Sequence, residues 1–99
     1  MNAFEKMVQA DMRLAVLLVL AEDSGYSHNE YVLREALRSL GHTVSQDRLR
    51  TELSWLAEQC LIKTDDTAGI LVAKLTPRGK DVATGAAVVP GVKRPEPEA

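Results

Sequence analysis

Residues 46 to 54 carry side chains that hydrogen-bond well to bases and phosphates, at spacings that suit one side of a helix. Arginine pairs with guanine and glutamine with adenine, while threonine and serine hydroxyls donate to phosphate oxygens. With about 100° between successive residues, most of these side chains point away from the leucines of the same segment, and Arg48 lies at the flank. We interpret the outer side of this helix as a nucleic-acid contact surface made of Gln46, Arg48, Arg50, Thr51 and Ser54.

Acidic residues on the same side of the helix weaken this interpretation. Asp47 and Glu58 face outward with the arginines and repel phosphates. The next segment adds the cations Lys63 and Lys74, but its turn begins with two aspartates. Sequence-independent attraction to DNA grows with the number of phosphates neutralised, and the net charge of the chain is −2. A solvated helix face without a nucleic-acid partner is therefore the alternative.

The residue types that most often perform catalysis or hold metals are isolated in this sequence. His28 and His42 fall at loop or cap positions, with no glutamate or cysteine at metal-ligand spacing. Cys60 is the single cysteine, which excludes an internal disulfide and a cysteine-based zinc cluster. We predict no catalytic residue, no metal and no cofactor. We interpret Cys60 as a packing variation, with a reactive thiol as the alternative.

Capping residues and apolar periodicity predict four helices. The first covers residues 2–22, and its centre is apolar on nearly all sides, as in a helix buried within a small domain. Ser27 and Glu30 match a capping box for the second, which ends at a glycine. Ser45 caps the third helix, and Thr76 followed by a proline begins the fourth.

Between the third and fourth helices the pattern changes from helix to strand. Residues 61–64 and 70–75 read as two short strands around a polar turn that contains Gly69. A capped helix pair followed by a hairpin predicts a mainly α chain with a small β-hairpin, a winged helix-turn-helix. We assign residues 1–84 to this domain. Residues 85–99 are rich in proline and charge, and we predict an extended, flexible tail.

Three stretches extend the argument from pattern to family. Residues 44–76 resemble winged-helix repressors of the ArsR and MarR type. Over almost the whole chain, LRTELSWLAEQCLI, LTPRGKDVATG and VVPGVKRPEPE resemble small winged-helix proteins encoded by Mu-like phages and prophages. The resemblance implies a phage protein with a role in regulation. Cys60 stands where the family pattern has glycine, which suits a left-handed helix end. The sequence therefore predicts either mild strain at Cys60 or a helix that is one residue longer.

Two sets of apolar residues are candidates for protein contacts. Trp55 lies about 130° from the leucine stripe on the helical wheel. It either packs against the wing or an earlier helix, or anchors a second subunit or the tail. Phe4, Met7 and Val8 form a stripe on the first helix. This stripe either supports a homodimer or extends the core of the monomer.

These observations predict a non-enzymatic, DNA-binding transcription regulator of a phage or prophage, which reads double-stranded DNA with helix 45–59 as a homodimer. The alternative is an accessory protein that uses the winged helix as a scaffold for another phage protein, in assembly or packaging. The longest apolar run, 14–21, is shorter than the roughly 20 residues that span a bilayer. Acidic residues flank it, unlike in a signal peptide. We therefore expect the protein in the cytoplasm of the bacterial host, without a membrane partner.

Overall fold

The computed structural model describes residues 1–97, which form four helices and a three-stranded antiparallel sheet. The elements are α1 (Ala3–Glu22), β1 (Ser27–Asn29), α2 (Glu30–Ser39), α3 (Gln46–Glu58), β2 (Ile62–Thr67), β3 (Ile70–Leu75) and α4 (Pro77–Thr84). The helix pair α2 and α3 and the wing β2–β3 make the predicted winged helix-turn-helix, and β1 adds a third strand beside β3, in the order β1-β3-β2.

The helix starts agree with the sequence except at α2. Ser45 caps α3 by accepting from the amide of Arg48 at 3.0 Å, and the Thr76 hydroxyl caps α4 in the same way. The predicted capping box at Ser27 is wrong, because Ser27 lies in β1 and pairs with β3. Asn29 caps α2 instead. Glu30 cannot complete a capping box, because its carboxylate is turned into the protein to bind another helix.

The core lies where the second half of α1 meets the inner sides of α2, α3 and the sheet. Leucines dominate it, because the apolar stripes of all three helices converge there. No helix within residues 1–97 is long and apolar enough to cross a membrane. Fully covered core residues include Val16, Leu17, Leu20, Leu33, Leu37, Leu49, Leu53, Leu56, Leu61 and Ala73.

Cys60 follows the end of α3 in a left-handed conformation, with φ +63°. Of the two expectations from the sequence, strain is therefore confirmed, because the helix stops at Glu58 and does not extend to Cys60. The residue is exposed. Cys60 is therefore not part of the buried side of α3, and its interpretation as a packing variation rather than a reactive thiol stays a prediction.

The C-terminal segment runs back along α1 and α3. Residues 86–97 contain no helix or strand. Val89 and Val92 are nevertheless part of the buried core cluster, with 5% and 7% of their surface exposed. The amide of Lys93 donates to the carbonyl of Ala10 at 3.1 Å. The division into a domain of residues 1–84 and a flexible tail stays a prediction, and these contacts attach the described part of the tail to the domain.

Candidate nucleic-acid interface

A buried glutamate at the start of α2 fixes the N-terminal half of α3 against the wing. Glu30 is 1% exposed. Its two carboxylate oxygens accept hydrogen bonds from Nε and Nη2 of Arg50, each at 2.8 Å. They also accept the side-chain amide of Gln46 at 2.8 Å and the backbone amide of Leu71 at 2.6 Å. Paired bonds of this kind fix orientation as well as contributing energy, so three elements meet at one carboxylate.

The charges of this cluster are balanced internally. The hydrogen bonds from Arg50 outweigh the effect of burial and lower the pKa of Glu30 to about 2. The same bonds raise the pKa of Arg50. Arg50 Nη2 also donates to the carbonyl of Gly69, in the turn of the wing, at 2.9 Å. Arg50 therefore braces α3 against α2 and the wing, and much of its positive charge is neutralised.

The solvent side of α3 carries small polar residues on successive turns. Thr51 and Ser54 are exposed, as is Asp47. The Thr51 hydroxyl donates to the carbonyl of Asp47 at 3.1 Å. Within residues 1–97 the hydroxyl of Ser54 makes no hydrogen bond. Both hydroxyl groups are accessible to a ligand that approaches this side of the helix.

Arg48 lies on a different side of α3 from Arg50. Its Nε donates to Glu52 at 3.1 Å, and 45% of its side chain is exposed. It lines a shallow cleft with Phe4 and Val8 of α1. The two arginines that the sequence assigns to one surface are therefore separated: Arg50 lies beside the wing and Arg48 beside the N-terminal end of α1.

Glu52 is a second buried carboxylate on α3, with 1% of its surface exposed. Its carboxylate accepts hydrogen bonds from Arg13 Nε and Gln9 Nε2, each at 2.8 Å, in addition to the one from Arg48. Burial raises the pKa of Glu52, but the bonds from Gln9, Arg13 and Arg48 together lower it below its usual value. This carboxylate joins α3 to α1.

Trp55 packs between this network and the C-terminal segment. The Arg13 guanidinium lies 3.7 Å from the centroid of the indole ring, a cation–π contact. Arg13 Nη1 also donates to the carbonyl of Gly91 at 3.2 Å. A Cβ atom on Gly91 would lie 3.0 Å from the indole ring. Trp55 thus contacts the core and the tail of its own chain, and its contact with a second subunit stays a prediction.

The lysines of the wing lie on the outer side of the sheet. Lys63 and Lys74 are direct cross-strand partners, and both are exposed. Side chains alternate along a strand, so both point away from the side that carries buried Ile62, Ala73 and Leu75. They form one positive site on the wing, apart from the cluster around Glu30.

Two arginines of α2 were not among the contact residues predicted from the sequence. Arg34 and Arg38 are exposed, one turn apart. Arg34 Nε donates to the carbonyl of Val44, just before the cap of α3, at 2.9 Å. Their four-residue spacing, on the side of α2 opposite its leucines, was the signal that could have found them. Together they line a cleft of about 350 Å³ with Tyr31, Glu35, Thr43 and Val44.

The first turns of α1 present the predicted apolar stripe to solvent. Phe4 is 67% exposed, Met7 59% and Val8 37%. The alternative that these residues extend the core of the monomer is therefore wrong. Their role as a protein interface stays a prediction.

Both histidines contact an aspartate and join neighbouring elements. His42 Nε2 lies 2.7 Å from Asp11, and His28 Nε2 lies 3.4 Å from Asp23. The hydrogen bond to His42 lowers the pKa of Asp11. Among residues 1–97, no three histidine, cysteine or acidic side chains are grouped so that they could hold a metal ion.

Comparison with solved structures supports the fold. The chain is similar to RosR of H. salinarum, with a TM-score of 0.64 and 22% identity over 73% of this chain and 64% of RosR. A RosR-S1 complex gives a TM-score of 0.62 and 21% identity over 84% of this chain and 66% of that one. The chain thus spans less than two thirds of the length of RosR, and the likeness is one of winged-helix fold.

Sequence relatives carry the similarity further, although no protein-family model matches the chain. A Haemophilus influenzae protein is 38% identical over 97 residues, which cover 97% of this chain and 94% of the relative. Protein gp26 of Escherichia phage Mu is 46% identical over 89 residues, which cover 90% of this chain and 92% of gp26. Identity at this level over nearly full length shows common ancestry: the chain belongs to the family of phage proteins that includes gp26 of phage Mu.

Proposed function

We propose that this protein is a phage or prophage transcription regulator that binds double-stranded DNA through the solvent side of α3. The observation that carries the proposal is the brace formed by Glu30 and Arg50. It holds the helix and the wing in one orientation while leaving Thr51 and Ser54 exposed. A helix that is already fixed can enter the major groove without an ordering cost on binding.

The sequence-predicted contact residues have different parts in this proposal. Ser54 donates to phosphates or base edges, and Thr51 either accepts from a base amino group or donates once its hydroxyl turns away from the carbonyl of Asp47. Arg50 has five N–H donors, of which three are used in bonds to Glu30 and Gly69, so two remain for DNA. Gln46 contacts DNA through the side-chain amide atoms that are not used in its hydrogen bond to Glu30. Arg48 contacts the backbone at the flank of the groove, and Lys63 and Lys74 do so from the wing.

We also propose that the protein acts as a homodimer. Two copies of α3 about one DNA turn apart would read a two-fold symmetric site. The apolar side of α1 offers the contact, because Phe4, Met7 and Val8 are exposed at i, i+3 and i+4 spacing. Burying these side chains against a second copy would remove apolar surface from water and stabilise the pair.

The experiment is fluorescence anisotropy with labelled duplexes, both a random pool and the protein's own genomic neighbourhood, in low salt and near physiological salt. We expect binding that weakens with salt. Thr51→Glu should weaken it strongly, because a carboxylate then faces the phosphates. Thr84→Glu is the matched control, since Thr84 is also an exposed helical threonine bonded to a backbone carbonyl. Arg50 is unsuitable as a test residue, because its loss also removes the brace.

The second candidate is a non-enzymatic accessory protein that binds another phage protein in assembly or packaging. The exposed apolar side of α1 favours it, and so does the net charge of −2. Absence of duplex binding in low salt would replace the regulator with this candidate, since every DNA-binding protein needs the electrostatic contribution. Equal binding by Thr51→Glu and Thr84→Glu would exclude α3 as the contact surface. We expect either protein to act in the host cytoplasm.

A further inference from the structure

The cleft between α2 and the start of α3 combines donors that suit a phosphate group. Arg34 uses only its Nε, in the bond to Val44, so within residues 1–97 its Nη atoms have no hydrogen-bond partner. Tyr31 and Thr43 line the same cleft, and their hydroxyls make no hydrogen bond within that range either. A guanidinium beside two hydroxyls is a typical set of phosphate ligands.

The location of the cleft adds to its preference for an anion. Val44 directly precedes Ser45, the cap of α3, so the cleft adjoins the N-terminal end of a 13-residue helix. The helix dipole places partial positive charge there, which favours phosphate, while Asp47 in the first turn offsets part of that charge, so the guanidinium of Arg34 supplies the main attraction. The bond from Arg34 to Val44 holds this guanidinium beside the helix end, so this part of the site is in place before a ligand arrives.

The second arginine of the cleft, Arg38, forms an ion pair with Glu35. Arg38 Nη2 lies 2.6 Å from Glu35, and both side chains are about two thirds exposed, at 65% and 67%. Such an exposed pair contributes little to stability. Arg38 can therefore turn from Glu35 to a phosphate at small cost, while Glu35 turns to solvent.

We propose that Tyr31, Arg34, Arg38 and Thr43 form a binding site for one backbone phosphate of the DNA, which sets the position of α3 along the groove. The inference rests on the proposed function and names a contact that the solvent side of α3 does not provide. Phosphate contacts fix register without reading sequence. The effect on binding should therefore be the same for every duplex.

The test compares Arg34→Gln with Arg78→Gln in the full chain by anisotropy across a salt series. Arg78 is the matched control, because it is also exposed and its Nε donates to a backbone carbonyl, that of Gln59, at 3.1 Å. We expect Arg34→Gln to weaken binding several-fold for all sequences and to reduce the slope of log K against log salt by about 0.9, the contribution of one phosphate. Arg78→Gln should leave both unchanged.

The outcomes separate this inference from the proposed function. Salt-dependent binding by the wild type with equal slopes for the two variants overturns the phosphate site and leaves the DNA regulator intact. No binding of the wild type in low salt overturns both. A further measurement uses the NMR signals of the Arg34 and Arg38 Nε–H groups. Shifts with duplex support the site. Shifts with inorganic phosphate but none with duplex, at the same ionic strength, overturn its assignment to DNA.

Discussion

Glu30 and Glu52 are both 1% exposed and both bind arginines of α3, yet they connect different parts of the molecule. Glu30 concentrates its bonds on Arg50, Gln46 and the wing amide of Leu71. Glu52 divides its bonds among Arg13 and Gln9 of α1 and the half-exposed Arg48. One carboxylate fixes the side of α3 that we propose faces DNA, and the other attaches a different side of the helix to α1.

An arginine of α3, the helix that we propose reads DNA, cannot be assigned a role from its residue type alone. Arg48 and Arg50 are two positions apart, but each is held by a different buried carboxylate. Arg50 is mainly a structural brace with two remaining donors. Arg34, which is bound by no carboxylate within residues 1–97, keeps more of its charge for a ligand.

The largest expected difference between the two carboxylates is in stability, after removal of the α3 arginine that each one binds. Arg50→Ala leaves the buried Glu30 carboxylate without its counter-charge, and we expect a loss in the free energy of unfolding well above that of Arg48→Ala. Arg48→Ala should cost less than about 1 kcal/mol, because the pair is partly exposed and Glu52 keeps two other partners. Urea denaturation of both variants measures the difference. Equal losses would mean that the two carboxylates are equivalent.

The next largest effect is a difference in the pH at which Glu30 and Glu52 become protonated. The pKa of Glu30 is lowered from 4.5 to about 2, first by its bonds to Arg50. A lowered pKa contributes stability above the unfolded value, so stability should fall as the pH drops from about 4.5 toward 2. We expect Glu30 to stay ionised to lower pH than Glu52, for which burial opposes the shift most strongly. Carboxyl-carbon NMR titration measures both; protonation of Glu30 first would contradict this.

The smallest effect concerns the tail that covers the network of Glu52. Gly91 has φ +97°, and a Cβ atom there would lie 3.0 Å from both Trp55 and Arg13 Nη1. Gly91→Ala should therefore cost about 1–2 kcal/mol and shift the fluorescence of Trp55, the sole tryptophan. Gly25→Ala is the control, because nothing lies within 4 Å of its added Cβ. An unchanged emission spectrum in Gly91→Ala would show that the tail does not cover the indole in solution.

Local signals predicted the fold well, because caps and periodicity act within a few residues. Ser45 and Thr76 cap the helices assigned to them, and the wing forms where the period changes. The site was harder to predict, because its geometry depends on contacts between distant residues. Glu30 looked like the end of a capping box, but its partner Arg50 is 20 residues away. No local pattern distinguishes a glutamate that caps a helix from one that binds another helix.

The hydrogen bond from the amide of Lys93 to the carbonyl of Ala10 joins the two ends of the described chain. The segment that carries Lys93 begins directly after α4, and α4 packs against α1, so only a short loop has to close once the helices have formed. Opening of this segment alone would uncover the indole of Trp55 and leave the four helices in place. The tail contact should therefore open more often than the whole domain unfolds, and hydrogen exchange at the amide of Lys93 should be faster than at amides within α3.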